Sequence, residues 1–94
     1  MKRIVLIFTF LASLTGCIAQ DESPQQRISR FTLLIQTNPD SVALYVQRSE
    51  AYNDNKAYQL AIDDCNKILT VDANNKEALK NRGHAYYYLR RYRE

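Results

Sequence analysis

Ninety-four residues, 46% of them hydrophobic but with only two Gly and two Pro, leave room for one small domain and exclude a turn-rich β fold. The formal charge is +3; of the thirteen basic residues Lys2 and Arg3 belong to a leading targeting segment, and the other eleven nearly balance ten acidic ones. That balance is too small to imply nucleic acid or an anionic membrane surface as the partner.

The chain opens on Met1-Lys2-Arg3, a short positive start, followed by the apolar run IVLIFTFLASL at 4–14. Such a run suits the h-region of an export signal and is too short to span a bilayer as a helix. Leu14-Thr15-Gly16-Cys17 resembles the lipobox of bacterial lipoproteins. The resemblance implies a signal peptide over residues 1–16 and a lipidated Cys17 as mature N-terminus, anchoring the protein at the cell envelope by its lipid only. Cys17-Ile18-Ala19 offers ordinary cleavage after Ala19 instead, which would free a periplasmic or secreted chain. Either route places the protein outside the bacterial cytoplasm. Residues 17–26 are polar and hold Pro24, so they are expected to form a tether. Within them, the acidic Gln20–Ser23 loosely resembles surface-export signals of some Bacteroidetes lipoproteins.

Beyond the tether the pattern is helical. Residues 25–38 hold a first apolar stripe, and Ser41 is placed to cap a helix over 41–53 whose inner face is Leu44, Tyr45, Arg48, Ala51 and Tyr52. A turn at 54–56 leads to a helix over 57–71 with Tyr58, Ala61, Ile62, Cys65, Ile68 and Leu69 at spacings of three and four. Residues 72–75 break it, and Asn75 is placed to cap the next helix. A shift of 34 residues lays Arg48 on Arg82, Ala51 on Ala85, Tyr52 on Tyr86 and Tyr58 on Tyr92. In the other direction Ile62 falls on Ile28, Cys65 on Phe31, Ile68 on Leu34 and Leu69 on Ile35.

On these residues, and on the pieces Arg48-Ser49-Glu50-Ala51-Tyr52, Tyr58-Gln59-Leu60-Ala61-Ile62 and Arg82-Gly83-His84-Ala85-Tyr86, residues 27–94 resemble tetratricopeptide repeats. They divide into a partial repeat at 27–41, a complete one at 42–75 and a truncated one at 76–94. Ser49 stands where the family usually has glycine and Ala73 where proline is usual; both are small. The resemblance implies an all-α solenoid fragment of antiparallel helix-turn-helix repeats that binds a protein or peptide in a concave groove. The groove residues it implies are Val46, Gln47, Glu50, Asn53, Lys80, Asn81, His84, Tyr87 and Tyr88. The family's clamp for chaperone C-terminal carboxylates is not implied: Asn81 fits it, but Val46 and Glu50 stand where Lys and Asn are needed.

No constellation for catalysis, metal or cofactor binding accompanies this pattern. His84 has no nucleophile or carboxylate at a recognisable spacing. Asp63 and Asp64 point about 100° apart on a helix and are expected to form a solvated acidic face. Cys65 is expected to be a buried small hydrophobe. Tyr86-Tyr87-Tyr88 with Arg90, Arg91 and Arg93 could stack bases, but Tyr86 and Tyr92 repeat the packing positions of Tyr52 and Tyr58 and are expected in the core. No nucleic-acid partner and no cofactor are expected, nor is the chain expected to be an enzyme. The function expected is protein–protein interaction or assembly; the alternative is a structural spacer attached to a functional, conceivably enzymatic, C-terminal part. Since helix 76–94 has no following partner helix, Leu79, Ala85, Tyr86 and Leu89 are expected to lack cover. Further repeats, or self-association through 77–92, would supply it.

Overall fold

A computed structural model describes residues 21–93 and is entirely helical over them apart from caps and turns. Four helices follow one another: α1 (Pro24–Thr37), α2 (Val42–Asp54), α3 (Tyr58–Val71) and α4 (Lys76–Arg93). Each packs against the next, and α2 also touches α4, so the chain is an all-α helical-hairpin repeat fold. Residues 1–16 and Cys17, the expected signal and lipidation site, lie outside the described residues.

The helix starts are written in local chemistry. The Gln26 N–H donates to Ser23 Oγ (3.1 Å) and the Ser23 N–H donates to Gln26 Oε1 (2.8 Å), a capping box around Pro24. Helix α1 therefore begins inside the stretch expected to be a tether, whose last three residues are helical. Ser41 caps α2 by accepting from the Leu44 N–H (3.4 Å), and Asn75 caps α4 by accepting from the Ala78 N–H (2.9 Å). Helix α2 runs to Asp54, one residue past the expected end. It closes with the Ala57 N–H on Tyr52 O (2.8 Å) and the Lys56 N–H on Asn53 O (3.0 Å). This double closure puts Lys56 in the left-handed region at φ 60°.

The core has two centres. Ile35, Tyr45, Cys65, Ile68 and Ala78 join α1 to α4 through the middle of the molecule, while Tyr58, Ala61, Ile62 and Ala85 bind α3 to α4. Ala51, Ala61, Ala78 and Ala85 are fully buried, and such small side chains let the helix backbones approach. Burial holds the Cys65 thiol above its ordinary pKa, in keeping with its expected role as a small core residue.

Two expectations about the core change. Asp64 is not part of a solvated acidic face. It is buried and takes the Arg48 guanidinium in a fork, Nε and Nη2 donating at 2.8 and 2.7 Å, while Nη1 donates to Thr32 of α1 at 3.3 Å. That hydrogen bonding raises the Arg48 pKa further. Asp63, one residue earlier and turned away, is exposed and accepts from Gln59. Tyr86, which repeats the packing position of Tyr52 and is expected to lack cover, is 51% exposed, because no helix among the described residues covers the side of α4 that corresponds to the covered side of α2. Ala85, expected to lack cover, is fully buried against Tyr58, Ala61 and Ile62 of α3, which packs on that side of α4; in α1, Ile35 is buried and Leu34 exposed.

Candidate functional site

Where α2 and α4 meet, two asparagines form the floor of a depression of about 290 Å³ lined by Glu50, Asn53, Asp54, Lys80, Asn81 and His84. Asn53 Nδ2 donates to the Asn81 main-chain oxygen (3.0 Å), and Asn81 Nδ2 donates to Ser49 Oγ (2.9 Å). Ser49 Oγ in turn donates to Val46 O (2.7 Å). Both asparagines are more than nine-tenths buried. Asn53 Oδ1 is the exception to this satisfied chain, a buried acceptor with no donor among the described residues.

Charge rings the floor. Lys80 pairs with Glu77 (2.9 Å), a hydrogen bond that raises its pKa with support from the charges of Glu77 and Glu50. Asp54 is held by Arg27 of α1. The end formed by the third turn of α4 is aromatic. The His84 ring lies 4.7 Å from Tyr88, Tyr88 stacks on Tyr58 at 5.6 Å, and Tyr87 meets Tyr88 edge-on at 5.0 Å. Tyr87 is mostly exposed, its hydroxyl accepting from Arg91 (3.4 Å), so this end presents an aromatic edge beside a polar floor.

The arrangement brings together Glu50, Asn53, Lys80, Asn81 and His84, and sets Tyr87 and Tyr88 beside them. Val46 does not join them as an open contact: it is half-buried and packs on the central core cluster. Gln47 is exposed on α2 and does not line the depression. Asn53 and Asn81 are floor rather than rim, because each spends its amide nitrogen on the other hairpin. Ser49 and Tyr58 are the supporting residues that the list of groove residues lacks. Ser49 aligns with Gly83 at the 34-residue period, and a hydroxyl at that place was the signal for a bond to Asn81. A larger depression of about 430 Å³ lies at the helix ends, lined mainly by Pro39, Val42, Tyr45, Ile68 and Val71. Asp40, Lys67, Thr70 and Asp72 also line it, but the asparagine floor, whose polar groups are fixed by bonds between two helices, is the better candidate for specific recognition.

No family model matches the chain, and no solved structure matches it. Over 72 residues it is 29% identical to the human Protein SGT1 homolog, which covers 77% of this chain and 20% of that protein. The chain thus spans about a fifth of the length of that curated relative.

Proposed function

We propose that this chain is a tetratricopeptide-type protein-interaction module of an exported protein, taking a partner peptide along the groove between α2 and α4. The observation that carries the reading is the polar depression between α2 and α4, with Asn53 and Asn81 bonded across its floor and Glu50, Lys80 and His84 around it. Polar groups fixed by bonds across two helices give a bound peptide a preformed surface of hydrogen-bonding and charged groups. The mixed charges of Glu50 and Lys80 and the aromatic edge of Tyr87 add contacts of the kind that recognise peptides. Similarity to the human SGT1 homolog, a protein that contains tetratricopeptide repeats, supports the same reading. No catalytic step or cofactor belongs to this function.

The test is capture of partner protein by the chain and by a Lys80→Ala/Tyr87→Ala double variant. Both side chains are largely exposed, so helical circular dichroism should be unchanged while capture falls. Equal capture by the double variant would remove the groove from the function and favour a spacer role. The membrane attachment proposed with it rests on Leu14-Thr15-Gly16-Cys17. Mass spectrometry of the membrane fraction should find acylated Cys17; a soluble species beginning at Gln20 would contradict it.

A further inference from the structure

The near balance of charge over the whole chain hides a separation along it. One end of the unit gathers the start of α1, the end of α2, the start of α3 and the last turns of α4. Asn55 donates to Gln25 (3.4 Å) and Arg27 pairs with Asp54, which sets the first turn of α1 beside the end of α2. The turn after α2 leads into α3, whose first residue, Tyr58, stacks on Tyr88 of α4 at 5.6 Å. Arg90 and Arg91 follow Tyr88 by two and three residues and are exposed, as is Lys56 in the turn. Arg90 falls thirty-four residues after Lys56, so the repeat places a basic residue here twice. Within the stretches 21–27, 54–58 and 88–91 that form this end, two of the three acids are spent. Asp54 is held by Arg27, and Glu22 by Arg30, whose Nε and Nη2 donate at 2.8 and 2.6 Å. Lys56, Arg90 and Arg91 are left against Asp21, a net of +2. The loops at the opposite end, 38–41 and 72–75, carry Asp40 and Asp72 and no basic residue.

We propose that this end of the unit is an interaction surface for anionic lipid headgroups, on which Lys56, Arg90 and Arg91 hold the helices upright beside the anchor. The inference rests on the lipidated Cys17 of the proposed function and goes beyond attachment by the lipid alone. Geometry joins the two. The fork of Arg30 on Glu22 and the capping box of Ser23 and Gln26 tie the chain to α1 from Glu22 onward. Five residues of chain lead from Cys17 to Glu22, and they reach about 18 Å at full extension. Helices α1 and α3 have fourteen residues each, a length of about 21 Å. A lipid on Cys17 therefore keeps the basic end close to the membrane and leaves the acidic loops a helix length further away. The potential of an anionic surface falls off within a Debye length, about 8 Å at physiological salt, so it acts on the charges that the anchor already brings near. A net of two basic charges there shifts the balance between docked and free orientations roughly thirtyfold. Exposed guanidinium groups also suit the headgroup phosphates, which they can take in a fork.

The test couples the processed chain beginning at Cys17, carrying Cys65→Ala, through Cys17 to a maleimide lipid. The vesicles are of phosphatidylcholine alone or of phosphatidylcholine with phosphatidylglycerol. The chain has no tryptophan, so Gln59→Trp at the basic end and Asn74→Trp at the opposite end each supply a single reporter. Quenching by a lipid spin-labelled on its headgroup reads the nearness of each to the surface. With phosphatidylglycerol present, position 59 should be quenched several-fold more than position 74. Lys56→Glu/Arg90→Glu/Arg91→Glu changes three exposed side chains, so it should keep the chain helical and return position 59 to its level in phosphatidylcholine. Salt at about 0.5 M should do the same to the chain with its charges intact. Equal quenching of the two positions with phosphatidylglycerol overturns the proposal. So does quenching at position 59 that is the same in both lipids, or that survives the salt, which would mean that the tether alone sets the distance. Because the coupling is chemical, these results stand apart from whether the cell acylates Cys17, which mass spectrometry of the membrane fraction decides.

Discussion

Replacing Arg48 by Met keeps the aliphatic stem and removes the guanidinium, which leaves the Asp64 carboxylate buried without its cation. The Asp64 side chain is 7% exposed and that of Arg48 17%. Removing one partner of a buried ion pair costs about 3–5 kcal/mol; the partial exposure of Arg48 places the expected loss near the lower end, about 3 kcal/mol. Loss of the hydrogen bond to Thr32 and of the guanidinium over the Tyr45 and Tyr52 rings works in the same direction. A domain of this size has a total stability of roughly 4–11 kcal/mol, so the variant should melt well below the parent, by roughly 12–24 °C. Urea titration followed by circular dichroism gives the free energy directly, and an unchanged slope would show that the unfolded state is the same. Arg82→Met is the internal control: with no carboxylate to strand, its cost should stay below about 1 kcal/mol. Arg48→Met combined with Asp64→Leu should recover much of the loss, because no buried charge then remains unpaired. A loss below about 1 kcal/mol for Arg48→Met, or equal losses at positions 48 and 82, would refute the reasoning.

Two further outcomes follow from other parts of the unit. Lys56→Gly should stabilise the chain by about 0.5–1 kcal/mol in thermal or urea melts, since Lys56 holds a left-handed φ of 60° that glycine adopts without a Cβ clash. Cys65 should resist alkylation in the native protein and react on unfolding. Because burial raises its folded pKa above the ordinary 9.0, the unfolded chain ionises first as the pH rises. Folding stability should then fall above about pH 9, and Cys65→Ala should flatten that part of the profile.

Much of the helical frame was legible because its signals are local. Ser41 and Asn75 announce the caps of α2 and α4, and the thirty-four-residue period aligns Ala51 with Ala85 and Arg48 with Arg82. The early start of α1 was also written locally, in Ser23 and Gln26, but Pro24 beside them reads equally well as part of a tether. The ion pair of Arg48 with Asp64 was harder, since Asp63 and Asp64 are alike in one dimension and only the rotation of α3 decides which is buried. An arginine on an otherwise apolar inner face was nonetheless a signal that a carboxylate must meet it. Tyr86 went the other way. Its repeat position marks it for the core, but a side chain is buried only where a second surface covers it. The groove shows the same limit. Asn53 and Asn81 stand on the outward face by periodicity, yet their amides bond across the α2–α4 contact, which only the packing of two hairpins creates.

The most direct test of partner binding in the groove is site-specific photo-cross-linking of the full chain in its native cells. A benzophenone amino acid would be placed at Glu50 or Tyr87 on the groove side, and at Leu33 or Leu60 on other exposed surfaces. Discrete polypeptide adducts from positions 50 and 87, absent from positions 33 and 60, are the expected result. Adducts from positions 33 or 60 with none from 50 and 87 would contradict partner binding in the groove.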